Sequence, residues 1–428
     1  MYTGTAQLTA PLLFGVTYGI CVSFTPLSTS KAHSAASACP FPAHYNKLPA
    51  MNAEFRAPQT AVIVIGAGVA GLFSAYLLEQ QGQSVLLVEA RDRIGGRVLS
   101  DAAHASESFV DLGPSWVWPR INERLSYWTD ELGLKLFSQY QHGAAVVEMQ
   151  NHSVQRYTPP YAQDPESQRW VGGAVSLLNA LLARLERTQL VLNTQVTLIR
   201  HEPDGGVALN VEGAQGGQVL RGASVIVTLP PRLLAGSIRW EPALPASFGA
   251  QWQRSPTWMA GHAKMAAAYK TPFWRDAGLS GYGSSQAGPL VEIHDACDAT
   301  GQAAALFGFV GTSAQSRVKM GEAELIQRCL QQLARLFGPC AAQPEWVKLK
   351  DWAQDPHTAT PADALPVNSH PTPQPRKLPA PWGGLAFLAG SEFADTFNGY
   401  LEGAVRSAET VLEEWLAEAP GARTSSLR

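Results

Sequence analysis

The chain has 428 residues, with 32 Lys plus Arg against 35 Asp plus Glu and a net charge of −3. That balance offers no polyanion-binding surface, so nucleic acid is not an expected partner. Charged residues make up 16% and apolar residues 46%, which excludes a disordered chain and suits two or three domains with real cores. Five cysteines (Cys21, Cys39, Cys297, Cys329, Cys340) stand apart, with no C-x-x-C pair. They read as free thiols in a reducing, cytoplasmic setting and leave no metal site to be expected.

Residues 1–57 are expected to lie outside the fold as an N-terminal extension. No charged residue precedes Lys31, and the apolar run Leu8–Phe24 is broken by Thr, Pro and Gly. A secretory signal would need a basic n-region, and a membrane span would need about 20 cleaner apolar residues. Met51 stands ten residues before the first strand, so the extension is read as an upstream over-extension of the reading frame, with an export signal as the alternative.

The stretch Ala61–Arg97 organises the rest. Ala61–Ile65 is apolar and mostly β-branched, as in a buried parallel strand. Gly66, Gly68 and Gly71 follow in G-x-G-x-x-G spacing, then a helix over Val69–Gln81 with Gly82 at its C-cap, then a second strand, Val85–Val88, ending in Glu89. Gly66 permits the tight turn, Gly68 lets a pyrophosphate approach the backbone, and Gly71 lets helix and strand pack closely. The helix N-terminus favours the phosphates. Glu89 is placed to accept from ribose hydroxyls, which disfavours a 2′-phosphate. Gly95, Gly96 and Arg97 then follow. A second glycine pair is not needed for NAD; it suits a longer dinucleotide with a second close approach. Arg97 is a phosphate partner, and Arg91 is either a second one or an ordinary surface arginine.

This segment resembles the N-terminus of the flavin-dependent amine oxidases, the monoamine oxidase and L-amino-acid oxidase superfamily. Fingerprint, Glu and R-x-G-G-R are all present. Val110–Trp116 resembles the family's D-x-G-x-x-W/Y segment, whose backbone lies along the flavin; Trp116 and Trp118 either line the site or fill core.

Asn122–Leu134 reads as an amphipathic helix ending at Gly133, and Ala174–Arg187 as another. Three strands follow, Leu190–Arg200, Val207–Glu212 and Gln218–Thr228, as a β-meander. The resemblance implies that Val196 contacts the adenine side through its backbone. Gly261–Tyr269 reads as a strand that holds Lys264 among Ala and Met, costly to bury without a partner. The resemblance makes Lys264 the lysine that reaches flavin N5 through a water; His262, two residues away, is read as structural. Leu325–Phe337 is a helix stopped by Gly338-Pro339, and Val347–Trp352 a strand. Trp352 matches the family's flavin-packing tryptophan.

Thr358–Pro381 is Pro-rich and reads as a fixed extended loop. Here the chain departs from the mammalian-type enzymes. They carry a Cys-Tyr pair about nine residues after the Trp, for a covalent flavin bond and half of an aromatic cage. Pro361-Ala362 stand there instead, so non-covalent FAD is expected and simple aromatic monoamine specificity is in doubt. A last strand, Leu385–Ala389, leads to Glu392, and a helix runs from Leu401 to about Ala417. By resemblance Glu392 binds the ribityl chain, Tyr400 faces the substrate, and the helix N-terminus at Leu401 points at the flavin pyrimidine.

The expected fold is α/β: a Rossmann-like FAD-binding domain of doubly wound sheet plus meander (58–122, 171–232, 351–420), with an inserted mixed-sheet α+β substrate domain (123–170, 233–350) and a tail at 421–428. The expected reaction is oxidation of an amine C–N bond to an imine, with O2 reduced to H2O2. The expected partners are a small-molecule amine and O2, without membrane or nucleic acid; assembly is left open, a homodimer being one candidate. Alternatives are a flavin desaturase of C–C bonds, a non-catalytic FAD-binding protein, and an NAD module, which Gly95-Gly96-Arg97 argues against.

Overall fold

A computed structural model describes residues 62–103, 109–159, 163–213, 216–365 and 370–419. The expected extension at 1–57 and the tail at 421–428 lie outside the described residues. The first apolar run forms strand Val62–Ile65, buried throughout, at the centre of a five-stranded parallel sheet. Val85–Val88 and then Gln189–Val191 lie on one side; Ser224–Val227 and then Ala386–Leu388 lie on the other. Strands buried on both faces must be continuously apolar, as Val62–Ile65, Val85–Val88 and Ala386–Leu388 are. One face packs on helices Val69–Gln80, Val175–Leu182 and Leu401–Glu418 through Leu72, Leu78, Leu178, Leu181, Val405 and Val411. The other packs on a four-stranded sheet through Ile63, Ile65, Val225 and Val227.

Two of the three expected meander strands are each two strands. Leu190–Arg200 divides into Gln189–Val191, which joins the parallel sheet, and Thr194–His201, which joins the meander. The break is at Asn193, held at φ +52°; Asn is among the few non-glycine residues that accept that conformation. Gln218–Thr228 likewise divides into Gly216–Gly222 and Ser224–Val227. Periodicity marks apolar runs, but it does not show a chain changing sheets within one.

The second body is a seven-stranded sheet in the order Trp346–Asp351, Ala263–Tyr269, Ala304–Val310, Leu290–Asp295, Leu279–Ser285, Ala144–Glu148, Val154–Tyr157. Neighbours are antiparallel except Leu279–Ser285 with Ala144–Glu148. One face is closed by helix Glu322–Phe337 through Leu325, Cys329, Leu333 and Leu336. The other face, through Ala266, Ala268 and Phe307, meets Val110 and Leu112 of the first body.

Packing moves two expected boundaries. Helix Glu123–Glu131 falls in the expected substrate segment, but Leu125 and Trp128 pack with the dinucleotide helices, and the Arg124 guanidinium pairs with Glu409. Segment 233–254, also assigned there, buries Leu234, Ile238, Trp240 and Trp252 against the parallel sheet and meander. The strand Arg239–Glu241 completes the four-stranded sheet. Amphipathic helices and Trp-rich segments show that a face is buried, not against which body.

Candidate active site

The two glycine turns meet at the end of the central strand. Gly66 is held at φ +99°, where a Cβ would lie 2.7 Å from Thr228 Oγ1. A Cβ on Gly71 would lie 1.8 Å from the Gly66 carbonyl oxygen, so the helix could not sit where it does. Gly68 differs: a Cβ there meets nothing within 4 Å. Its bareness serves no protein contact and leaves room for a group from outside. Gly68 is bridged to Gly95, and a Cβ on Gly96 would come within 3.4 Å of the Gly68 Cα. Helix Val69–Gln80 begins there without a side-chain cap, so its first N–H groups face the same space. Glu89, buried, accepts from Ala67 N at 2.7 Å and Arg91 N at 2.9 Å, with lone pairs to spare. Val196 is buried on Thr194–His201, a strand tied to Glu89 by Thr194 N donating to Glu89 O at 2.9 Å.

Three expected ligand-facing charges have protein partners. Arg97 does not stand alone for phosphate: Nη1 donates to Glu392 Oε1 at 2.6 Å and Nη2 to Glu392 Oε2 at 2.9 Å. Glu392, expected to need a ligand hydroxyl, therefore has a bidentate partner, reinforced by Ser391 Oγ at 2.9 Å. Burial pushes the Glu392 carboxyl up, but Arg97 outweighs it and holds it below the usual range. Arg91 donates to Asp355 at 2.8 Å and Thr358 at 2.8 Å. Burial raises Asp355, yet Arg91 and Lys350 bring it down to about 2. A sequence lists charges but not which find each other across 295 residues.

The centre of the site is the strap Leu112–Ser115, which runs between the two bodies. Lys264 Nζ donates to Gly113 O at 3.0 Å and Ser115 Oγ at 2.7 Å. It also lies 3.7 Å from the Phe307 ring centroid. Trp352 is buried, and its Nε1 donates to Leu112 O at 3.0 Å. Lys264 and Trp352, 88 residues apart in sequence, are thus fastened to successive carbonyls of one strap. Burial lowers Lys264 from its ordinary value to about 7, with Asp111 opposing and Arg169 adding to the shift. Such a lysine changes protonation in the working pH range. The strap's approach is enforced at Gly113, where a Cβ would lie 2.1 Å from Arg97 O.

Tyr400 caps helix Leu401–Glu418 without a side-chain bond, so the first-turn N–H groups from Leu401 are free of intrahelical partners. Its ring stacks on His370 at 4.9 Å, and its hydroxyl lies 3.0 Å from His370 Nε2. His370 in turn stacks on Trp258 at 3.6 Å. Ser115, Trp258 and His370 carried no distinct signal in the sequence. Trp116 is one of the residues left open between core and site; it contacts His294, Phe307 and Phe309 beside Lys264.

A family model described as flavin containing amine oxidoreductase matches residues 160–411, well over half of the chain. The chain belongs to that family. A second model, an NAD(P)-binding Rossmann-like domain, matches residues 64–132. Among relatives of this amine oxidoreductase, a probable flavin-containing monoamine oxidase A of Dictyostelium discoideum is 23% identical, covering 82% of this chain and 96% of that one. The putrescine oxidase of Kocuria rosea is 25% identical over 66% of this chain and 80% of its own. In fold it is similar to a putrescine oxidase solved with putrescine (TM-score 0.69, 22% identity, 84% of this chain and 99% of that one). It is also similar to the cyclohexylamine oxidase of Brevibacterium oxydans IH-35A (TM-score 0.68, 22% identity, again 84% and 99%). The family implies a flavin cofactor and amine oxidation. Residues at the two glycine turns and the open space over Gly68 fit a dinucleotide. Among the described residues no helix is long and apolar enough to cross a membrane, and no cluster of side chains could hold a metal.

Proposed function

We propose that this flavin amine oxidase binds FAD non-covalently and oxidises the C–N bond of a primary or secondary amine to an imine, O2 being reduced to H2O2. The observation that carries it is Lys264, buried yet hydrogen-bonded to Gly113 O and Ser115 Oγ beside Trp352. When bound, FAD supplies the acceptor for the hydride from the carbon next to nitrogen and the route of the electrons to O2. Gly66, Gly68 and Gly71, the free N–H groups of helix Val69–Gln80, Glu89, Gly95 and Gly96 would hold the dinucleotide; Val196 would flank the adenine. Arg97 and Glu392, already paired, would set the backbone that the ribityl chain follows. The first turn at Leu401 would stabilise negative charge on the pyrimidine edge.

The chain's own chemistry is positioning. Lys264 spends two of its three donors on the strap; the third is available to a water. With its pKa lowered to about 7, Lys264 changes protonation near neutrality. Tyr400 would present aromatic surface to a neutral amine, Trp352 would pack against the flavin, and the buried sheet face excludes bulk water. Pro361 and Ala362 carry no thiol to bond the flavin, which supports non-covalent binding. Among the described residues Cys297, Cys329 and Cys340 are free thiols, which supports a reducing, cytoplasmic setting.

The test is the absorption spectrum of the purified protein, then anaerobic bleaching with a panel of amines and amino acids. A flavin spectrum bleached by an amine, with peroxide formed on readmitting air, is expected. A flavin that no amine bleaches would refute the reading.

A further inference from the structure

Two lysines, not one, stand on the sheet face that meets the strap. Strand register sets Lys350 directly opposite Lys264, and residues directly opposite on antiparallel strands share a face. Lys264 donates to Gly113 O and Ser115 Oγ. Lys350 takes another course. Its Nζ donates to Asp355 Oδ2 at 2.8 Å and lies 4.6 Å from the centre of the Trp352 ring. An edge strand commonly carries lysines that only keep other strands away, and Trp346–Asp351 is an edge. Lys348 fits that role, with a side chain 43% exposed and paired with Asp101. Lys350 does not: it is 24% exposed, and its carboxylate partner only 7%. Taking an ion pair that deep costs desolvation, and apolar replacements are often no less stable. Stability is therefore a poor reason for this pair.

The pair belongs to a longer chain that crosses from one body to the other. Asp355 Oδ1 accepts from Arg91 Nη2 at 2.8 Å, and Arg91 Nη1 lies 3.7 Å from Glu89 Oε1. Charges thus alternate from the ribose carboxylate to the indole: Glu89, Arg91, Asp355, Lys350. The member laid against Trp352 is a cation. Burial raises Asp355, but Arg91 and Lys350 outweigh it, so the carboxylate stays ionised near neutrality and fixes the ammonium. Trp352 is fixed as well, by its Nε1 donating to Leu112 O at 3.0 Å and its backbone N to His262 O at 3.0 Å. A charge held this way needs no rearrangement when electrons arrive nearby.

We propose that Lys350, fixed by Asp355 against Trp352, raises the reduction potential of the bound flavin, and that the Asp355 carboxylate moderates the effect. Both are positioning residues that act through Trp352. The inference rests on the FAD-dependent reading above, with Trp352 packed against the flavin. Reduced flavin is an anion near neutral pH, so a fixed cation beside it favours the reduced form. A unit charge about 10 Å away, the reach of one intervening ring, shifts the reduction equilibrium by roughly 10- to 20-fold at an effective dielectric near 20.

The test is the midpoint potential of the flavin in purified holoenzyme saturated with FAD, read by reductive titration against dyes of known potential. Lys350→Gln should shift the equilibrium toward oxidised flavin by roughly tenfold, about 30 mV lower for a two-electron couple. Lys350→Arg keeps the charge and should stay near wild type. Asp355→Asn keeps an oxygen for His357 N, which donates to Oδ1 at 3.0 Å, but removes the negative charge, so its potential should rise. Either change breaks the same bond, so a purely structural pair would move both variants in one direction. Shifts of the same sign, no shift in Lys350→Gln, or failure of both Lys350 variants to hold FAD overturns the proposal, whether or not an amine is oxidised. Opposite shifts in an enzyme that no amine bleaches would uphold it while refuting amine oxidation. A wild-type protein that binds no flavin overturns both.

Discussion

Replacing Arg97 by Met tests the most consequential unforeseen contact. The Glu392 side chain is 1% exposed, and Arg97 supplies its shortest bond and a bond to each of its oxygens. What remains after the change is Ser391 Oγ at 2.9 Å and a long contact to Trp258 N at 3.4 Å. Stranding a buried carboxylate this way costs about 3–5 kcal/mol. The double variant Arg97→Met/Glu392→Gln leaves no stranded charge and should recover much of that loss. The sign with pH separates this from simple loss of packing. In the wild type the Glu392 carboxyl is depressed, so its stabilisation is present above the unfolded value and lost as pH falls through the folded one. Without Arg97, burial, the largest cause, is opposed only by the weaker bonds from Ser391 and the backbone, and raises it. The destabilisation of Arg97→Met should therefore grow as pH rises from 4 to 8. Urea unfolding of the flavin-free proteins, followed by tryptophan fluorescence across that range, reads both effects. Equal costs for the single and double variants, or a cost independent of pH, would refute the reasoning.

Gly71→Ala and Gly68→Ala should separate stability from cofactor affinity. The first drives a Cβ to 1.8 Å from Gly66 O and should lower apoprotein stability by about 1–3 kcal/mol. The second meets open space and should leave apoprotein Tm nearly unchanged while weakening FAD binding, measured by fluorescence titration. Lys264→Met should slow flavin reduction or reoxidation in stopped flow more than it weakens FAD binding. It should also remove an inflection near pH 7 from the rate profile, because the wild-type lysine sits at about 7; a persisting inflection assigns it elsewhere. Acid precipitation should leave all flavin in the supernatant, and yellow pellet protein would contradict non-covalent binding.

Legibility followed the range of the interaction. The dinucleotide turn was readable because its constraints are local: the reason Gly71 is glycine lies five residues away, at Gly66. The parallel strands were readable because burial on both faces leaves an uninterrupted apolar run. Sheet exchange at Asn193 was not, since both halves of that run read as strand and only the backbone at Asn193 changes course. Lys264 stood out as a charge in apolar company, yet what satisfies it, Gly113 O and Ser115 Oγ, is about 150 positions away. The same holds for Arg97 with Glu392, which the sequence presents as two candidates for one ligand.

The strap explains why those distant residues belong together. Gly113 must be bare because Arg97 O lies where its Cβ would be. The turn that carries Arg97 therefore fixes the height of the strap, and Leu112 O and Gly113 O fix Trp352 and Lys264 in turn. Gly113→Ala should lift the strap away from the Arg97 turn and loosen both side chains together. Its signature would be paired: a shift in tryptophan emission as Trp352 Nε1 loses its acceptor, and a Lys264 apparent pKa moved from about 7. The pKa would rise if water entered and relieved desolvation, or fall if the ammonium lost its acceptors while staying dry. A variant that changed the emission and left the pH profile fixed would show that the two anchors are independent. The strap would then be a neighbour of the lysine rather than its support.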